Sequence, residues 1–169
     1  MKEIIYNEDH LEEKDINNYV DRAKMIVEND YGELLLASAN NNYFLIGGHV
    51  EKDESFDECI VREIKEESGV EIPKENRTPY LSIKYYCKDY PEKGLNTRYI
   101  INYYSIKYNL IPDLDNMKLE QGEIDGGFKL EYIPKDKVID VLTKSLKTCT
   151  KENVVSDTIK AIKIYLNKE

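Results

Sequence analysis

Glu63, Glu66 and Glu67 stand three and four positions apart in the first half of the chain. On an α-helix that spacing puts them on one face, so three carboxylates would crowd into a small volume. Like charges so placed repel. Two arrangements relieve the repulsion: a face bathed in water, or carboxylates gathered around divalent cations, which take oxygen ligands. An isolated acidic run reads first as a solvated face. Arg62 adjoins the cluster, and its guanidinium can grip a carboxylate through two parallel hydrogen bonds and so fix its orientation. Upstream, Gly47-Gly48 end an apolar run. Without side chains, backbone there can approach a ligand closely or turn with positive φ.

A helix must carry the carboxylates. From Ser55 onward the apolar period is helical: Phe56, Ile60 and Ile64 recur every fourth position. Ser55-x-x-Glu58 has the form of a capping box, and Gly69 suits the helix end. Before it lie three strand-like runs, at about 20–27, 33–37 and 43–46, separated by Asp30-Tyr31-Gly32 and an Asn-rich turn at 39–42. After it, 80–87 and 98–108 read as longer strands, 109–127 as a loop rich in Asp, Gly and Glu, and 128–133 as a short strand. Helices follow at 135–146 and 154–166, within a C-terminal helical region of about 135–167. This order predicts an α/β fold with a mixed β-sheet between helices.

The length of 169 residues and 41% apolar content suit one domain, 1–169, around one core. Net charge is −9, which argues against binding a nucleic-acid backbone. If the partner is an anionic small molecule, something cationic must mediate, and carboxylate-held Mg²⁺ is the natural choice. The start, MKEIIYNEDHLEEKD, is acidic where a secretory signal would be basic, and no apolar stretch approaches the roughly 20 residues that cross a bilayer. A cytoplasmic protein without membrane association is expected. Cys59, Cys87 and Cys149 are odd in number and widely spaced, so they read as reduced thiols rather than disulfides or a zinc knuckle.

Residues 48–70, GHVEKDESFDECIVREIKEESGV, run Gly48, five residues, Glu54, seven residues, then REIKEESGV. This resembles the Nudix box, the signature of hydrolases that split nucleoside diphosphates linked to another moiety. A chance match at any one start is about one in 10⁸ at ordinary residue usage, so the motif reverses the preference for a solvated face. The resemblance implies a Nudix-like α/β/α sandwich. It maps Glu63, Glu66 and Glu67 onto the family's metal ligands, makes the Gly47 carbonyl a further ligand, and gives Arg62 a structural role in the catalytic constellation beside Glu54. Mg²⁺, or Mn²⁺, is the implied cofactor. Metals neutralise the pyrophosphate oxygens, acidify a bound water and support the leaving phosphate.

The general base varies among family members. Outside the box the candidates are Glu120, Glu123 and Glu131; Glu131 precedes what resembles the family's late strand and last helix, while Glu123 lies in the loop. Tyr85 and Tyr86 occupy a region where some subfamilies carry a substrate-marking aromatic, so Tyr86 is a candidate for stacking on a base. The alternative is ordinary strand tyrosine in a chain with 14 of them. His49 reads as loop packing, Cys59 as core. With His10 and His49 the only histidines, the related isopentenyl diphosphate isomerases are disfavoured.

Two positions depart from common family usage: Ile46 stands where many members have Pro, and Asp53 where many have Gly. GGHVE and REIKEE are similar to the nucleotide-pool-cleaning branch. The expected substrate is therefore a nucleoside triphosphate, ordinary or oxidised such as 8-oxo-dGTP, ahead of a dinucleoside polyphosphate and then ADP-ribose. A non-catalytic nucleotide sensor and a pure interaction module are the competing classes. The intact set of Arg62, Glu63, Glu66 and Glu67 disfavours both, and the oligomeric state stays open between monomer and homodimer.

Overall fold

The computed structural model describes residues 1–73, 75 and 77–167. In chain order it contains β1 (Lys2–Tyr6), β2 (Asn18–Glu28), β3 (Glu33–Ala39), β4 (Asn42–Phe44), α1 (Phe56–Ser68), β5 (Thr78–Cys87), β6 (Thr97–Lys107), α2 (Gln121–Asp125), β7 (Lys129–Pro134), α3 (Val138–Ser145) and α4 (Glu152–Tyr165). The strands form one seven-stranded sheet ordered β1-β5-β6-β2-β3-β4, with β7 also paired to β3. Pairs β1/β5 and β2/β6 are parallel and the others antiparallel, so the sheet is mixed.

Strand alternation divides the apolar residues into two cores. Met25 and Leu35 join Ile60 and Ile64 of α1 on one face. Their neighbours Ile26, Leu34 and Leu36 point the other way, to Val138 and Leu142 of α3 and Val155 and Ile162 of α4. Helices thus cover both faces, the expected α/β/α sandwich. Full burial of Ile60 and Ile64 stabilises the docked α1 by about 1.5–3 kcal/mol each and fixes its rotation about its own axis.

The sheet splits where the site will lie. β2 meets β3 only at Glu28↔Leu34. The rest of that edge of β2 is taken by the segment after β4, through Met25 N–H to Ile46 O at 3.0 Å, Ala23 N–H to Gly48 O at 3.1 Å and Val50 N–H to Asp21 O at 2.9 Å. The β3–β4 hairpin turns on Asn40 and Asn41, both at positive φ (50° and 61°), as a tight hairpin requires. Buried Asn42 then accepts the N–H groups of Thr150 and Lys151 at 2.9 and 2.8 Å, which ties the hairpin to the start of α4.

Several elements differ from the sequence expectation. β1 lies in the acidic N-terminal stretch and was not foreseen; it pairs with β5, and Tyr6 stacks on Tyr85 with centroids 5.0 Å apart. The 109–127 loop contains the short α2. Ile46 bridges to Met25 beyond the end of β4. α3 begins at Val138 rather than 135, because Pro134 completes β7 opposite Glu33 and residues 135–137 turn.

Candidate active site

α1 begins at Ser55, whose hydroxyl accepts the Glu58 N–H at 3.2 Å while the Glu58 carboxylate accepts the Ser55 N–H at 2.9 Å. It ends at Gly69, in the left-handed region at φ 73°. With Ile60 and Ile64 inserted into the core, Glu63 and Glu67 are carried to the edge of β2, where Gly47 and Gly48 run. Those glycines leave the room the carboxylates use. A Cβ on Gly48 would lie 2.3 Å from a Glu63 carboxylate oxygen, and one on Gly47 would lie 2.2 Å from the Ala23 carbonyl, at φ 118°.

Arg62 organises the acidic side chains. Its Nε and Nη2 grip Glu54 at 2.9 and 3.0 Å, the two-pronged geometry foreseen for it. Nη1 donates to Glu63 at 2.9 Å and to Glu66 at 3.0 Å, and Nη2 also donates to the His49 carbonyl at 2.9 Å. The guanidinium holds Glu54 below the usual carboxylate range. Burial pushes Glu63 up, against the pull of Arg62 and Lys24.

Glu67 is the deepest of the three, 3% exposed, and accepts the Gly47 N–H at 2.8 Å. Burial raises its pKa, opposed by the Lys24 ammonium. Burial likewise lowers Lys24, opposed by Glu67. The Lys24 ammonium donates to the Gly47 carbonyl. Sequence reasoning missed this lysine. Its signal was a cation set between the apolar residues Ala23 and Met25 within a strand run.

The donors at this gap are all oxygens: three carboxylates and one carbonyl, a set that suits Mg²⁺ or Mn²⁺. Among the described residues no three acidic, imidazole or thiol groups yet converge on one point. Arg62 draws Glu63 and Glu66 to itself while Glu67 turns to the Gly47 N–H, so ligation needs the carboxylates to swing toward one another. In chemistry the donor set fits such an ion.

Of the candidate bases, Glu123 comes near. The 109–127 segment is clipped to the end of α1 by Asp113 N–H to Ser68 O and Lys118 N–H to Glu66 O, both 2.8 Å. Glu123 is then close enough for its charge to raise Glu67, although its carboxylate also accepts the Glu120 N–H at 2.8 Å. Glu120 is exposed and acts on His49.

Glu131 lies on the other side of the sheet. It pairs with Leu36, which faces the α3/α4 core, so its side chain lies on the sheet face away from α1 and takes the Tyr43 hydroxyl at 3.3 Å. Leu130 and Tyr132 instead point to the α1 face. A period of two decides this, and one residue of register reverses it.

Tyr86 is not brought to the glutamates either. β5 is separated from β2 by β6, and the Tyr86 hydroxyl donates to Glu13 at 2.9 Å. Tyr85 points to the opposite face and donates to Asp157 of α4. His49 exposes its side chain and serves the site through its carbonyl. Cys59 is wholly buried and its thiol is pushed up to about 12 by burial, which keeps it protonated and out of the chemistry.

Comparison with known proteins adds two findings. The NUDIX domain family model matches residues 18–146. Solved structures share the architecture at low identity. The MutT protein from Methanosarcina mazei is 18% identical, with TM-score 0.57, over 90% of this chain and 98% of its own. The dihydroneopterin triphosphate pyrophosphohydrolase of E. coli is 11% identical, with TM-score 0.58, over 90% and 100%. A mutator MutT protein from Bacillus halodurans is 21% identical, with TM-score 0.52, over 72% of each chain. At these identities the likeness concerns the fold. Among the described residues no helix is long and apolar enough to cross a membrane.

Proposed function

Because this chain belongs to the NUDIX domain family, we propose that residues 47–67 form the working site of a Mg²⁺- or Mn²⁺-dependent hydrolase that cleaves a pyrophosphate bond in a small nucleotide. The observation that carries the reading is the placing of Glu63 against Gly48 and of Glu67 on the Gly47 N–H, with Arg62 gripping Glu54 and bonding Glu63 and Glu66 beside them. A pure binding module has no need of that whole set.

Glu63, Glu66, Glu67 and the Gly47 carbonyl would hold the metal. When bound, it supplies charge neutralisation for the pyrophosphate oxygens and acidifies a water. Arg62 orients the carboxylates and stays protonated, so it transfers no proton itself. Burial already raises Glu63 and Glu67, so a divalent cation relieves a charge cost the fold has built in. Glu123 is the preferred base, since it is the outside candidate whose charge reaches Glu67. The site works as part of one domain and receives its substrate from solution.

Our substrate order is a nucleoside triphosphate, ordinary or oxidised, then a dinucleoside polyphosphate, then ADP-ribose. The GGHVE and REIKEE wording supports it. The test is kcat/KM for 8-oxo-dGTP, dGTP, dihydroneopterin triphosphate, diadenosine tetraphosphate and ADP-ribose, with Mg²⁺ and again in excess EDTA. Turnover abolished by EDTA and restored by Mg²⁺ or Mn²⁺ is expected. Undiminished hydrolysis in EDTA sinks the metal reading, and a tenfold preference for ADP-ribose, about 1.4 kcal/mol in transition-state binding, overturns the order.

A further inference from the structure

The carboxylates proposed to hold a metal are already balanced by two of the chain's own cations. Arg62 bonds Glu54, Glu63 and Glu66. Lys24 serves the deeper end of the site. It stands on β2 between two buried core residues, Ala23 and Met25, and its ammonium donates to the Gly47 carbonyl. Glu67 accepts the N–H of that same glycine at 2.8 Å. Both backbone groups of Gly47 are therefore taken, one by a cation and one by the most buried carboxylate of the cluster. Glu67 and Glu63 both attract the ammonium, and the centroid of the Phe44 ring lies 5.5 Å from it.

The oxygen that Lys24 holds is the one proposed as a metal ligand. A carbonyl has a second lone pair, but a divalent ion on it would stand beside a full positive charge, and the two repel. Lys24 must therefore withdraw before the Gly47 carbonyl can serve such an ion. Its chemistry allows this. An ammonium is a compact charge on a flexible four-carbon stem, so it can leave one acceptor without breaking a paired grip of the kind Arg62 makes. The Phe44 ring remains within cation–π reach as it moves off.

We propose that Lys24 is a built-in counter-ion of the metal site: it holds the Gly47 carbonyl and balances Glu67 until a divalent cation displaces it. It thereby sets a threshold of metal concentration below which the carboxylates keep their Arg62- and Lys24-bound arrangement. The inference rests on the metal-dependent hydrolase reading and adds to it a regulation by metal supply. Lys24 is a positioning residue, acting through Gly47 and Glu67 rather than on the substrate.

Calorimetric titration of Mn²⁺ into the full chain at fixed pH and ionic strength tests this, with Glu67→Gln identifying the heat that belongs to the carboxylate site. Lys24→Met keeps the stem and removes the charge, and should tighten that site about tenfold or more, equivalent to about 1.4 kcal/mol. Lys24→Arg keeps the charge and should stay within about threefold of wild type. Thermal unfolding gives a second readout, since at one fixed Mn²⁺ concentration the midpoint of Lys24→Met should rise more than that of wild type. Lys24→Gln carries both measurements should Lys24→Met not fold. Unchanged or weakened Mn²⁺ affinity in the neutral variants overturns the proposal, as does an equal tightening in Lys24→Arg. The two readings can fail separately: tightened binding without turnover of any nucleotide counts against the hydrolase alone, and Mn²⁺-dependent turnover with equal affinity in wild type and Lys24→Met counts against the counter-ion alone.

Discussion

Replacing Arg62 with alanine should destabilise the protein by about 2–3 kcal/mol at pH 7, and the loss should shrink on acidification. The guanidinium makes six hydrogen bonds, to Glu54 twice, Glu63, Glu66, the His49 carbonyl and, at 3.8 Å, the Cys59 sulfur. Bonds to charged groups contribute about 1.5–3 kcal/mol each, but these share one donor group and do not add. Breaking a buried ion pair costs about 3–5 kcal/mol. Arg62 is 25% exposed, against 12% for Glu54 and 15% for Glu63, so water recovers part of that and the lower figure applies. The pH dependence follows from Glu54. Its folded pKa is depressed by Arg62, so its contribution is full above the unfolded value near 4.5 and is lost as pH falls through the folded value. Without Arg62 that contribution is absent throughout, so the two stability curves should converge in acid. Urea unfolding of wild type and variant at pH 7 and about pH 3.5, without added metal, measures it. An equal loss at both pH values, or none at pH 7, refutes the argument. Arg62→Lys should recover only part of the stability, because an ammonium cannot grip Glu54 with two parallel bonds.

Glu67→Gln removes the most buried carboxylate while leaving an oxygen for the Gly47 N–H; kcat should fall about 10²-fold or more with the thermal midpoint preserved or raised, and wild-type kcat would show the cluster is misassigned. Glu123→Gln should lower kcat and flatten its pH dependence, whereas Glu131→Gln, on the far face of β7, should leave both within about twofold of wild type. A flattened profile in Glu131→Gln alone would mean that β7 sits in another register in solution.

The elements that carry their own signals were legible along the chain. α1 was bounded by a capping box and a left-handed glycine, both local devices that act within a few residues, and its glutamates follow from helical spacing. The Asn-rich hairpin and the two long strands β5 and β6 were legible for the same reason. β1 was not, because five residues in an acidic stretch become a strand only when β5 offers an edge.

Charge, spacing and local propensity determined that this chain holds three carboxylates on one helix face, an arginine beside them and a glycine pair upstream. Tertiary structure decided everything that depends on which segments meet. Glu131 and Glu123 look equivalent as acids downstream of the box, yet strand register turns Glu131 to the α3/α4 face while the clipped loop brings Glu123 toward Glu67. Tyr86 fell to Glu13 across the sheet, and Lys24, an unremarked cation between Ala23 and Met25, arrived at the Gly47 carbonyl. The physical reason is the same in each case. Periodicity along a chain fixes which residues share a face, but which face meets the site is set by pairing among strands far apart in sequence, and a shift of one residue reverses it.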